Sequence, residues 1–136
     1  MTRAGAAVAL LLALAFAGCG SEARDLFLVD RTGAVPGARL SLRITDDGRA
    51  SCNDRPLVDI TSAQLVQARA AERDLDKPTK AHLRLAPGPQ PVLSYRVRTE
   101  DGVAAWSDDS PRQPPVFFVV AKLTRDVARG PCHLLR

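Results

Sequence analysis

The first nineteen residues decide how much of this chain is left to fold. Met1-Thr2-Arg3 carries one positive side chain and precedes an unbroken apolar run from Ala4 to Ala17. That run is about 14 residues long, whereas a helix needs about 20 to cross the hydrocarbon core of a bilayer. It has the form of the apolar region of a secretory signal, which is removed and never enters the domain. The expected organisation is therefore a cleaved leader at 1–18, a tether at 19–25 and one domain over 26–136. A domain of this size buries only about two-thirds of its unfolded surface, so its stability is modest and a covalent staple matters.

Phe16-Ala17-Gly18-Cys19 closes the apolar run. Small residues at the two positions before the cysteine let the chain enter a peptidase site in extended form. The stretch resembles a bacterial lipobox, with Phe16 where Leu is usual and Leu14 two residues further back. The resemblance implies that the Cys19 thiol is diacylglycerated and that cleavage makes Cys19 the first residue of the mature protein. The alternative is a chance cysteine behind an ordinary signal. A diacylglyceryl group holds a membrane far more firmly than one acyl chain. The chain is then expected on the extracytoplasmic face of the cell membrane, like bacterial lipoproteins of the high-GC Gram-positive type.

Three cysteines are present, and an odd count in an exported chain leaves one to be explained. If Cys19 carries lipid, Cys52 and Cys132 remain as one pair, and an oxidising compartment favours their union. Two free buried thiols are the alternative.

The composition is that of a globular protein: 46% apolar, 25% charged and 4% aromatic. The core must rest on Leu, Val, Ile and Ala. The net charge of +4 is distributed among Asp residues with no basic run that would track phosphates, so no nucleic-acid partner is expected.

From Asp25 onward the pattern is that of strands. "DLFLVDRT" is short and apolar, and "GAVPG" at 33–37 turns the chain. In "ARLSLRIT", Leu40, Leu42 and Ile44 alternate with Ser41, Arg43 and Thr45, as a half-buried strand requires. Asp46-Asp47-Gly48 then signals a hairpin into a strand holding Ser51 and Cys52. Thr61 and Gln64 make a capping box. Leu65, Ala68, Ala71 and Leu75 follow at helical spacing, with Lys77-Pro78 as the expected stop. "VLSYRVRT" alternates again, with Arg96 and Arg98 outward, and "VAAWSD" returns as its hairpin partner. A last helix is expected from about Pro115 to Arg129 on a stripe of Val116, Phe117, Val120, Leu123 and Val127. The sum is an α+β domain of about five antiparallel strands with two helices packed on one face.

The chemistry-bearing residues form no recognisable site. His82 and His133 are not spaced as a metal-binding pair, and with Cys52 and Cys132 committed no cysteine is left for zinc. There is no G-x-S-x-G elbow and no glycine-rich phosphate loop. No catalytic residue, metal ligand or cofactor is therefore expected. The paired carboxylates at Asp46-Asp47 and Asp108-Asp109 suit turns and caps first. Trp106, Asp108 and Asp109 form a candidate partner contact if the indole points outward, because aromatic anchors dominate interfaces; a place in the core is the competing reading.

The order of elements, with Tyr95, the Asp101-Gly102 turn, Asp108 and the Pro115-led helix, resembles the emfourin-type inhibitors of thermolysin-like metalloproteases over residues 28–129. The chain departs from that pattern in having "GAVPG" where a Gly-Gly turn and a large apolar residue are usual. The resemblance implies a non-catalytic binding module that docks to or inhibits an exported protease. The expectation is thus a lipid-anchored extracytoplasmic binding module. A hydrolase with a dispersed site and an accessory subunit of an envelope complex are the alternatives.

Overall fold

Alternation of buried and more exposed positions along the strands builds a sheet with two unlike faces. The computed structural model describes residues 20–135. The expected leader and Cys19 lie outside the described residues. In chain order the elements are β1 (Asp25–Gly33), β2 (Leu40–Thr45), β3 (Arg49–Cys52), β4 (Val58–Asp59), α1 (Ser62–Lys80), β5 (Leu93–Thr99), β6 (Gly102–Ser107) and α2 (Pro115–Arg129). The six strands form one antiparallel sheet in the order β4-β3-β2-β1-β5-β6. The α+β class holds, with one strand more than the pattern announces. That strand, β4, is two residues long, too short to show a period, and it pairs with Arg49 and Ala50.

Chain order and sheet order diverge at one place. β1 to β4 run as a meander, and α1 then carries the chain back across the sheet so that β5 pairs with the free side of β1. β1 is thereby central. Its inward residues Val29 and Arg31 meet Leu42 and Leu40 on one side and Val97 and Tyr95 on the other. A bulge between Asp25 and Phe27 lets both Leu26 and Phe27 bury, each 1% exposed.

α1 begins as expected, with Thr61 Oγ1 accepting from the Gln64 N–H and the Gln64 side chain accepting from the Thr61 N–H. Its end is a correction: the helix continues through Pro78 to Lys80. Proline removes one N–H close to the helix end, but the Ala81 N–H still donates to the Lys77 carbonyl and Thr79 Oγ1 donates to the Leu75 carbonyl. The last turn therefore closes around the proline. α2 spans the expected residues, with Pro115 at its first position, where no N–H is needed.

Both helices contribute to one core on one side of the sheet. At its centre Trp106 is stacked between Tyr95, 5.2 Å away between ring centroids, and Phe117, 4.0 Å away. Cys52 of β3 and Cys132, just past α2, are joined by a disulfide across 80 residues of sequence. A loop of that length contributes on the order of 4 kcal/mol if its effect is mainly on the entropy of the unfolded chain. The staple ties the far half of the sheet to the end of the helical layer.

Candidate binding face

The strand alternation that fills the core also dictates what the other face carries. Outward residues of neighbouring strands line up in rows, because antiparallel register brings opposite side chains to about 5 Å. One row reads Ser51, Arg43, Leu28, Arg98 and Val103 from β3 to β6. The next reads Ser41, Asp30, Arg96 and Ala105, and a third pairs Thr32 with Ser94 and Ser94 with Ser107. Beyond β6 the second row gains Arg84. The Leu85 N–H donates to the Ala105 carbonyl, and the Ala105 N–H donates to the Leu83 carbonyl, so a short segment covers that edge.

Among the described residues no helix lies over these rows. Asp30, Arg84, Arg96 and Arg98 are exposed. The face has relief at both margins. A 410 Å³ concavity beside β6 is lined by Asp30, Arg84, Ser94 and Arg96. A 280 Å³ one lies between Arg43 of β2 and the Arg55-Pro56-Leu57 loop. That loop leaves β3 through Asn53 and Asp54, both with positive φ (54° and 58°), a pairing typical of a type I′ turn. Asn53 ties the turn to β2, its Oδ1 accepting from the Ser41 N–H and its own N–H donating to the Ser41 carbonyl.

The arginines on this face are held differently. Arg43 donates to Asp25 (2.6 Å) and Glu22 (2.9 Å), and hydrogen bonding to those two carboxylates raises its pKa further above the usual arginine value. Among the described residues Arg84, Arg96 and Arg98 form no ion pair, so their guanidinium groups remain open to an external acceptor. A guanidinium offers a rigid fork of donors suited to carboxylates and phosphates.

The expected partner contact is not on this face. Trp106 is 3% exposed, in the core stack, and so cannot serve as an exposed anchor. Asp109 accepts from the Gly88 N–H (2.9 Å) and the Gln90 N–H (2.7 Å), and Asp108 from the Val92 N–H (3.0 Å). These carboxylates pin the Pro-rich connector to the end of β6. Gly88 approaches so closely that an added Cβ would lie 2.4 Å from the Asp109 carbonyl oxygen. The Asp46-Asp47 pair likewise serves its turn, Asp47 accepting from Thr45 and Arg49 and Asp46 from Arg69. Hydrogen bonds from Arg49 and then Thr45 hold the Asp47 carboxyl below the usual aspartate value.

His82 and His133 occupy separate turns, the first after α1 and the second after α2, with positive φ of 49° and 53°. Both are exposed. Among the described residues no group of His, Cys, Asp and Glu is placed to hold a metal ion. No helix among them is long and apolar enough to cross a membrane.

One further residue went unnoticed in the sequence. Arg31 continues the inward phase of Phe27 and Val29, and it is 3% exposed. Its Nε donates to the Ala38 carbonyl (2.8 Å) and its Nη2 to the Gly37 carbonyl (3.2 Å). The signal was available: a charged residue in the apolar phase of a strand has to find acceptors inside. No protein-family model, curated protein or solved structure matches the chain.

Proposed function

We propose that this chain is a lipid-anchored extracytoplasmic binding module that docks an exported protein partner on its bare sheet face. The observation that carries the reading is the row structure of that face, with Arg96, Arg98 and Arg84 in no ion pair among the described residues, around a half-buried Leu28. Such a surface suits a partner presenting acidic side chains, because complementary charge steers encounter and fixes register. The tether supports the arrangement, since Gly20 to Arg24 lead directly into the central strand. A docking or inhibitory contact with an exported metalloprotease is the sharpest form of the proposal. Cys19 as the acylated residue holds the module at the membrane surface.

Three experiments test it. Intact mass measurement of the protein from the membrane fraction should show an acylated N-terminal Cys19; an unmodified Cys19 would remove the anchor. A photo-crosslinking residue placed at Arg96 should capture a discrete partner in the native envelope, whereas one at Arg73 on α1 should not. Equal capture from both positions, or titration of the domain into secreted metalloproteases with no complex at micromolar concentration, would sink the docking reading and its protease form respectively.

A further inference from the structure

A second candidate site lies on the helix side of the sheet, where β1 ends and the last turns of α2 pass over it. Here a 480 Å³ cavity, within the range of small-molecule pockets, is lined by Arg31, Arg125 and Arg129 together with Val35, Val92 and Leu93. No lining residue is acidic. Asp126 is bound mainly by Lys122 at 2.5 Å and reaches Arg125 only at 3.6 Å, Arg129 has no ion pair among the described residues, and Asp108 accepts from the Val92 N–H at 3.0 Å.

Three features make this more than a surface coincidence. Arg125 and Arg129 are four residues apart on α2, so their like charges face one another and cost the helix something. The helix C-terminus tolerates cations, which offsets part of that cost but supplies no reason for concentrating three of them in one concavity. Arg31 forms the buried part of the cluster, oriented by the Ala38 and Gly37 carbonyls. Low-dielectric walls around several guanidinium groups focus a positive potential into the cavity. The apolar lining is just as specific, since Val92 is 46% exposed at its mouth and Leu93 is partly buried inside.

We propose that this cavity binds a small amphiphilic anion. Its carboxylate or phosphate headgroup is held by Arg125 and Arg129 above Arg31, and a short hydrocarbon portion lies against Val35, Val92 and Leu93. The site is independent of the bare sheet face, which lies on the opposite side of the strands.

The probes are octanoate and octyl phosphate, with octanol and acetate as controls. They are titrated at low salt into the disulfide-bonded domain released from its anchor, whose whole core lies between Leu26 and Leu134. Amide shifts at Ala38, Leu93 and Arg129 in NMR spectra report occupancy. Both octyl anions should bind and both controls should bind markedly more weakly; the ratio of the two anions separates a fatty-acid-type headgroup from a phosphate-type one. Arg125→Ala with Arg129→Ala should weaken binding about tenfold or more, the scale of losing one charged hydrogen bond. Both side chains are exposed, so the variant should fold, and its melting curve checks that. Val92→Asp gives a second reading, placing a negative charge at the mouth without touching the arginines. Octanol binding as tightly as octanoate, no saturable binding of either anion, or unchanged affinity in both variants would overturn the proposal.

Discussion

On the helix-covered face of the sheet Arg31 is 3% exposed and bonded to two backbone carbonyls, whereas one strand away, on the bare face, Arg96 and Arg98 are exposed and form no ion pair among the described residues. The alternation of β1 and β5 produces both outcomes, since a shift of one residue exchanges faces. What differs is the obligation each charge carries. A buried guanidinium must have its donors satisfied or it destabilises the fold, so Arg31 belongs to the architecture as much as to any site. An exposed one is free of that demand and is available to a partner. The comparison divides the molecule into a face that determines stability and a face that does not.

The covered face should break most severely. Phe117→Ala removes the ring stacked on Trp106 and should cost about 3–5 kcal/mol, read as a lower denaturation midpoint. The single Trp in the chain makes its fluorescence a direct monitor. Arg31→Leu leaves the Ala38 and Gly37 carbonyls without their donors. The expected loss is about 1–3 kcal/mol, the cost of buried polar groups left unmade. A loss no larger than that of a surface variant would mean that Arg31 is held for binding alone. In the opposite direction, Thr124 is fully buried on α2 with its hydroxyl unpaired. Thr124→Val keeps the shape and removes the unmet group, so a gain of up to about 1 kcal/mol is expected in the same assay.

The one tyrosine sharpens the comparison by pH. Burial pushes the Tyr95 phenol above its ordinary value of 10.0, with the Arg31 charge beside it working against the rise. Below pH 10.0 both folded and unfolded chains keep the proton, and this group's contribution to stability is complete. As pH climbs past that value the unfolded chain releases it first, so stability falls as pH rises toward the folded value. A single-site absorbance titration at alkaline pH should show delayed ionisation in the folded protein. Ionisation at the ordinary value would place Tyr95 in contact with solvent and take the stack apart.

Most of the fold was legible because its signals are local. The Thr61–Gln64 capping box, the Asp46-Asp47-Gly48 turn and the Pro115 start of α2 each involve residues within a few positions of one another, and each stands where the sequence puts it. Pro78 misled because a proline near a helix end loses only one hydrogen bond, and the decision passed to Thr79 and Ala81. The bare face was half legible. Arg96 and Arg98 point outward by simple alternation, but that they share rows with Leu28, Asp30 and Arg43 depends on β5 pairing with β1 across the α1 crossover. No local pattern encodes that choice of neighbour. Trp106 left two readings open for a related reason: whether an aromatic is an anchor or a core residue depends on what α2 packs against.

The smallest expected effect on stability is the most informative about function. Arg96→Ala with Arg98→Ala alters two exposed side chains that make no ion pair among the described residues, so stability should change by no more than about 0.5 kcal/mol. The same variant should abolish crosslinking to the partner from a probe at neighbouring Ala105, because complementary charge at an interface governs encounter and register. The two readouts discriminate between accounts of this face. If stability holds and capture is lost, the arginines serve a partner. If both hold, the face is merely solvated and the docking proposal loses its surface. A fall in stability beyond about 1 kcal/mol would mean that these side chains are packed under another part of the chain, and that the sheet has no bare face to offer.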